Sequence, residues 1–180
     1  MSGRPAALLL TAAGLAIALP APALAEQTTT QRFFSARLQA DEATSDEIRG
    51  LLRTGQGFVD RAVVFRDLTG DRRADAVVRV QSGGVSGAVA LYVFSTDTGR
   101  RQGALRVVFR SQELLRAQTR IRDGVLRYRS ARPQAGDEPC CPALVAETRL
   151  RWRERRHRFE AVERREVAPA EPWGDQLGAR

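Results

Sequence analysis

The stretch Arg61–Phe94, RAVVFRDLTGDRRADAVVRVQSGGVSGAVALYVF, decides how this chain is organised. Three β-rich runs, Ala62–Phe65, Ala74–Val80 and Ala88–Phe94, are separated by an acidic turn and a glycine turn. Apolar and β-branched residues alternating between Gly/Asp clusters predict a meander. Working outward, Leu105–Arg110 alternates again with Leu105, Val107 and Phe109 on one side, and Ala117, Thr119 and Ile121 share one face. Asp123-Gly124 is a two-residue hairpin signal, followed by a return strand through Leu126 and Tyr128. A Pro/Gly-rich loop over 132–142 leads to a last hairpin, Val145–Arg153 and His157–Arg164, across a charged turn.

Upstream of the meander the sequence predicts one helix. Thr44-x-x-Glu47 reads as a capping box, and Ile48, Leu51 and Leu52 form an i, i+3, i+4 stripe that Gly55 ends. Phe33-Phe34 reads as a short strand or docking segment, and Glu26–Thr30 as a frayed terminus. The expected fold class is therefore α+β: an antiparallel sheet of six to eight strands with one short amphipathic helix packed on one face.

The first 25 residues read as a secretory signal. Met1–Arg4 is a short basic segment, Pro5–Leu19 is mostly Ala and Leu, and Ala23-Leu24-Ala25 is an A-x-A cleavage site. The apolar run is too short for a spanning helix with these flanks. Cleavage near Ala25 leaves a chain exported to the periplasm, the envelope or the medium. It divides into an extension over 26–40, a single domain over 41–166 and a Pro-containing tail over 167–180.

All 29 basic residues are arginine, which points to base composition before it points to binding. Their placement says more. Residues 26–99 carry 9 Arg against 10 acids, whereas residues 100–158 carry 16 against 6. In the later strands Arg106, Arg110, Arg120, Arg122, Arg127, Arg129, Arg149, Arg151 and Arg153 alternate with core residues. That parity predicts one apolar, covered sheet face and one arginine-studded, wet face. Such a face is either simply solvated or able to hold a polyanionic envelope component. Export and the lack of interleaved aromatics argue against nucleic acid as the partner.

Two further places could carry chemistry. Asp67, Thr69, Asp71, Arg73 and Asp75 fall at positions 1, 3, 5, 7 and 9 of an oxygen-rich loop, with position 7 offering its carbonyl. That pattern suits calcium, or else a polar turn whose Asp side chains bond the backbone. Thr69 stands where a carboxylate is usual, and Arg72 where glycine permits the sharp bend. The loop resembles a single FG-GAP or VCBS acidic loop lying just before a V-V strand. Cys140 and Cys141 are adjacent and are the only cysteines. In an oxidising compartment they suggest a vicinal disulfide, an intermolecular bridge, or thiols that stay free or bind metal. Neighbouring Cα atoms lie about 3.8 Å apart, below the usual disulfide minimum of about 4.4 Å, so a ring there would be strained.

The helix, the D-A-V-V strand, D-E-P-C-C-P and the closing R-x-R-W…R-F hairpin together resemble the LppP/LprE family of bacterial envelope lipoproteins. The resemblance implies an envelope address and a fold type but no reaction, and this chain lacks the family's lipidated cysteine. His157 is the only histidine, and no nucleophile elbow, HExxH, phosphate loop or dinucleotide fingerprint is present. The expectation is a non-enzymatic interaction module of unknown ligand. A calcium-stabilised accessory domain and a redox-sensitive protein using Cys140 and Cys141 are the alternatives.

Overall fold

The computed structural model describes residues 27–96, 104–138 and 141–168. The expected signal segment and most of the tail lie outside them. Two helices come first, α1 (Thr29–Ala40) and α2 (Asp46–Thr54). Nine strands follow among the described residues: β1 (Gly57–Val59), β2 (Val64–Arg66), β3 (Asp75–Ser82), β4 (Ala88–Ser95), β5 (Arg106–Ser111), β6 (Gln118–Arg122), β7 (Val125–Arg132), β8 (Leu144–Arg153) and β9 (Arg158–Val167). The α+β class with antiparallel strands holds. The single sheet with one helix does not: the strands form two sheets, and a second helix joins the first.

The first sheet runs β1-β3-β4-β5, with β2 also paired to β3; the second is the meander β6-β7-β8-β9. One core lies between the helices and the first sheet, where Phe34, Leu38, Ile48 and Leu52 meet Val78, Val80, Tyr92 and Phe94. A second core lies between the sheets, where Val77, Leu91, Val93 and Val108 meet Leu126, Leu150 and Phe159. The molecule is thus three layers deep, and β3 and β4 are buried on both faces. Their near-continuous apolar runs, AVVRV and AVALYVF, are what two-sided burial requires.

Helix α1 replaces the expected frayed terminus and strand. Thr28 Oγ1 accepts the Gln31 N–H at 3.2 Å and Gln31 Oε1 accepts the Thr28 N–H at 2.9 Å, a complete capping box. Gln31 then donates to the Val59 carbonyl at 2.7 Å, tying the helix to β1. In α2 the cap is Ser45, whose hydroxyl accepts the Ile48 N–H, and not Thr44, which is buried. Gly55 ends α2 in the left-handed conformation, as expected. Gln112 Oε1 accepts both the Ser45 N–H at 2.7 Å and the Tyr92 hydroxyl at 2.8 Å, so the helix start is held to the sheet.

The Asp123-Gly124 hairpin forms with both residues at positive φ, 52° and 69°. Face assignment in β5 needs a correction. Leu105, Val107 and Phe109 were expected to share a face, but a register shift opposite Val93/Phe94 intervenes. Leu105 and Val107 pack into the helix-side core and Phe109 into the inter-sheet core. Among the described residues no helix is long and apolar enough to cross a membrane.

Candidate functional site

The acidic loop between β2 and β3 is held together by its own amides. Asp67 Oδ1 accepts the Gly70 N–H at 2.6 Å and Oδ2 accepts the Arg72 N–H at 3.0 Å. Asp71 accepts the Arg73 N–H at 2.8 Å. Asp75 is buried, and its Oδ2 receives the N–H groups of Leu68 at 2.7 Å and Thr69 at 2.9 Å. The Thr69 hydroxyl stands 3.5 Å from the other Asp75 oxygen. Burial pushes the Asp75 carboxyl above its ordinary range, and the hydrogen bonds from Ser95, Leu68 and Thr69 oppose that rise. Gly70 and Arg72 both take positive φ, 85° and 65°, so Arg72 bends the chain where a glycine would. Among the described residues no cluster of three or more His, Cys, Asp or Glu side chains is placed to hold a metal. Asp67, Thr69, Asp71, Arg73 and Asp75 share a loop whose carboxylates face backbone amides.

The cysteine pair falls at the edge of what is described. Cys141 is exposed, and its N–H donates to the Glu138 carbonyl at 2.9 Å, while Cys140 lies outside the described residues. Cys141 is disulfide-bonded and not a free thiol, and its expected vicinal partner Cys140 lies outside the described residues. Asp137 shapes the turn, its Oδ2 accepting the N–H groups of Gln134 at 2.7 Å and Ala143 at 3.0 Å. Those two bonds hold the Asp137 carboxyl below the usual range. His157 sits at the β8–β9 turn with φ 46° and its ring against Trp152.

The arginines divide between two sheets, which corrects the expectation of one nine-residue face. Arg106 and Arg110 belong to β5 of the first sheet, and Arg110 turns to Asp41 on the helix side at 3.4 Å. Arg120, Arg122, Arg127, Arg129, Arg149, Arg151 and Arg153 do share the outer face of the second sheet, where register adds Arg158 and Arg165 of β9. Three acids that the arginine pattern concealed lie on the same face: Glu147, Glu160 and Glu163. The parity of β8 would have found Glu147, but Glu160 and Glu163 have opposite parity in β9 and share the face only because of the register shift opposite Arg149/Leu150.

Glu147 is the hub. Its side chain is 8% exposed, and it receives Arg129 Nε at 2.8 Å and Arg165 Nη2 at 3.0 Å, with Arg127 at 3.6 Å. Burial alone would raise its carboxyl, but the hydrogen bonds and charges of Arg129 and Arg165 outweigh it and leave it below the ordinary range. Glu160 collects Arg153, Arg156 and Arg158 within 3.3 Å and is likewise held low, chiefly by the hydrogen bonds from Arg156 and Arg158.

One row of the face is different. Arg120, Arg127 and Arg149 stand directly opposite one another on β6, β7 and β8, and Glu163 on β9 closes the row 3.9 Å from Arg149. Like charges directly opposite across strands repel, at spacings of about 4.8 Å. Arg127 Nε and Arg149 Nε are buried with no hydrogen-bond partner among the described residues. Arg120 and Arg151 are exposed and make no ion pair there. The arrangement concentrates donors that the protein's own acids leave partly unanswered.

No family model, curated protein or solved structure matches this chain.

Proposed function

We propose that the chain is an exported, non-enzymatic module that holds an anionic polymer of the cell envelope on the outer face of its second sheet. The observation that carries this reading is the Arg120–Arg127–Arg149 row, three guanidinium groups side by side with one glutamate at its end. An anion repeat laid across the strands would relieve the repulsion in that row through charge-assisted hydrogen bonds to the exposed parts of its guanidinium groups. Arg120 and Arg151 extend the same field at the surface. The export pattern over 1–25 and the resemblance to LppP/LprE proteins support an envelope address for such a surface.

The test is retention of the secreted protein on immobilised long-chain polyphosphate and on a carboxylate polymer, at increasing salt. Binding should fall steeply with salt, and the triple variant Arg120→Gln, Arg127→Gln, Arg149→Gln should flatten that dependence. Wild-type retention that ignores salt, or a triple variant that binds like wild type while melting normally, would remove the reading. Intact-mass analysis of the secreted protein should place its first residue at Glu26.

A further inference from the structure

A cleft of about 440 Å³ opens where the β1–β2 connection, strand β3 and the β5–β6 connection meet. Its room comes from small residues: Gly87, Ala88 and Ala117 line it alongside the polar side chains of Asp60, Arg79, Gln81 and Gln118. Arg116 also lines it and is engaged, its Nε donating to the Val85 carbonyl at 3.2 Å. Ala62 stands exposed at one side.

Asp60 and Arg79 answer each other's charge. Asp60 Oδ2 receives Arg79 Nη2 at 2.6 Å and Gln81 Nε2 at 2.7 Å, and its Oδ1 receives the Ala62 N–H at 2.9 Å. The pair is a fixed post of no net charge, so a lone anion meets the carboxylate and a lone cation the guanidinium. What stays open is hydrogen-bonding capacity. The Arg79 side chain is 9% exposed, and its Nε is buried without a partner among the described residues. Its Nη1, also without a partner there, keeps solvent contact. A guanidinium taken so far out of water normally satisfies its donors. Gln81 has given its amide nitrogen to Asp60, which leaves Oε1 as an acceptor with no donor among the described residues. The Gln118 amide makes no side-chain hydrogen bond among them and serves in either direction.

Beside these groups stands an aromatic ring. Phe58 lies directly opposite Gln81 in the β1–β3 register, so the two side chains leave the same face of the sheet. Phe58 is 38% exposed. A flat apolar ring beside a few convergent polar groups is the composition of a small-molecule site.

We infer that this cleft binds a neutral pyranose sugar. Every ring hydroxyl both donates and accepts, so one accepts from Arg79 Nη1 while its neighbour donates to Gln81 Oε1. The Gln118 amide serves a further hydroxyl. The apolar C–H face of the ring lies against Phe58. Such a sugar exists free or as one residue of a glycan chain, and the same groups would recognise both.

The experiment is a nitrogen-15 NMR titration of the secreted chain with methyl glycosides of glucose, galactose, mannose and N-acetylglucosamine, then with a trisaccharide of each. Glycerol, which has hydroxyls but no ring face, is the control. At least one sugar should give saturable shifts centred on Phe58, Asp60, Gln81 and Gln118, and glycerol none. Phe58→Ala, made at an exposed position, should weaken that binding about fivefold. Ala62→Phe, made at an exposed wall position, should block entry without disturbing the Asp60–Arg79 pair. A trisaccharide that binds at least as tightly as its monosaccharide identifies a glycan chain as the source, and weaker binding identifies the free sugar. The inference is overturned if no sugar gives saturable shifts, if glycerol shifts the same residues, or if the shifts fall on the β6–β8 arginines instead. A folded Phe58→Ala or Ala62→Phe protein that binds like wild type would overturn it equally.

Discussion

Glu147 Oε2 on β8 lies 2.8 Å from Arg129 Nε on β7, and the same carboxylate reaches Arg165 on β9 at 3.0 Å. One acid thus ties three adjacent strands across a face that would otherwise repel itself. Replacing it with glutamine keeps the shape but removes the charge that holds the arginines together. Glu147→Gln should lower stability by about 1–3 kcal/mol, because the arginine partners are themselves half exposed and screened. Thermal denaturation near neutral pH measures it.

The same residue predicts an acid limb. Its folded carboxyl titrates below the ordinary value, so its contribution is fully present above the unfolded carboxylate pKa of about 4.3. That contribution is lost as pH falls through the lower, folded value. The stability difference between wild type and Glu147→Gln should therefore shrink on acidification. Denaturant titrations of both proteins from neutral pH downward test this, and a gap that stays constant would contradict the ion pairing of Glu147 with Arg129 and Arg165.

Asp75 behaves oppositely. Its folded carboxyl is raised by burial, so wild type should gain stability relative to Asp75→Asn as pH falls from the raised value toward the unfolded one. At neutral pH Asp75→Asn should be tolerated to within about 1 kcal/mol, since one amide oxygen can accept both N–H groups that Oδ2 now takes. Asp75→Ala should cost roughly 2–4 kcal/mol by stranding the Leu68 and Thr69 N–H groups. Added calcium should leave the melting temperature unmoved. A melting temperature that climbs with calcium would show that the loop's carboxylates leave their amides for a cation.

Arg72 holds φ 65° in an exposed turn. A left-handed backbone costs a residue with a Cβ about 1 kcal/mol that glycine does not incur. Arg72→Gly should raise the melting temperature by about 3 °C, measured by calorimetry. A fall would mean that the arginine side chain contributes more than the bend costs.

Leu126, fully buried, joins the two sheets through the inter-sheet core. Leu126→Ala should cost about 2–5 kcal/mol. Because both sheets share that core, circular dichroism and tryptophan fluorescence should still report one coincident transition. Separate transitions would indicate that the layers fold independently.

Much of this architecture was legible from residue order. The Asp-Gly hairpin, the alternation in β6–β8 and the amphipathic stripe of α2 depend on side-chain period and local turn chemistry, which neighbouring residues specify. The T-x-x-Q box at Thr28–Gln31 was equally local, and a polar opening segment masked it. The split into two sheets was legible only in part. AVVRV and AVALYVF announce two-sided burial, but they do not say which strands supply the second cover.

Local sequence by itself determined most of the strands, though not β1, and most of the turns and the arginine parity of β6–β8, because φ preference and a two-residue period act between near neighbours. Only the tertiary structure decided that the meander of β6–β9 folds back over β3 and β4, that Arg110 faces Asp41, and that Glu147 answers three arginines. It also brought Asp60, Arg79, Gln81, Arg116 and Gln118 to one cleft. Four strands separate Asp60 from Gln118 along the chain, and what joins these residues is the burial of apolar surface elsewhere. Which charges meet is a consequence of which apolar faces close, and no local period encodes that.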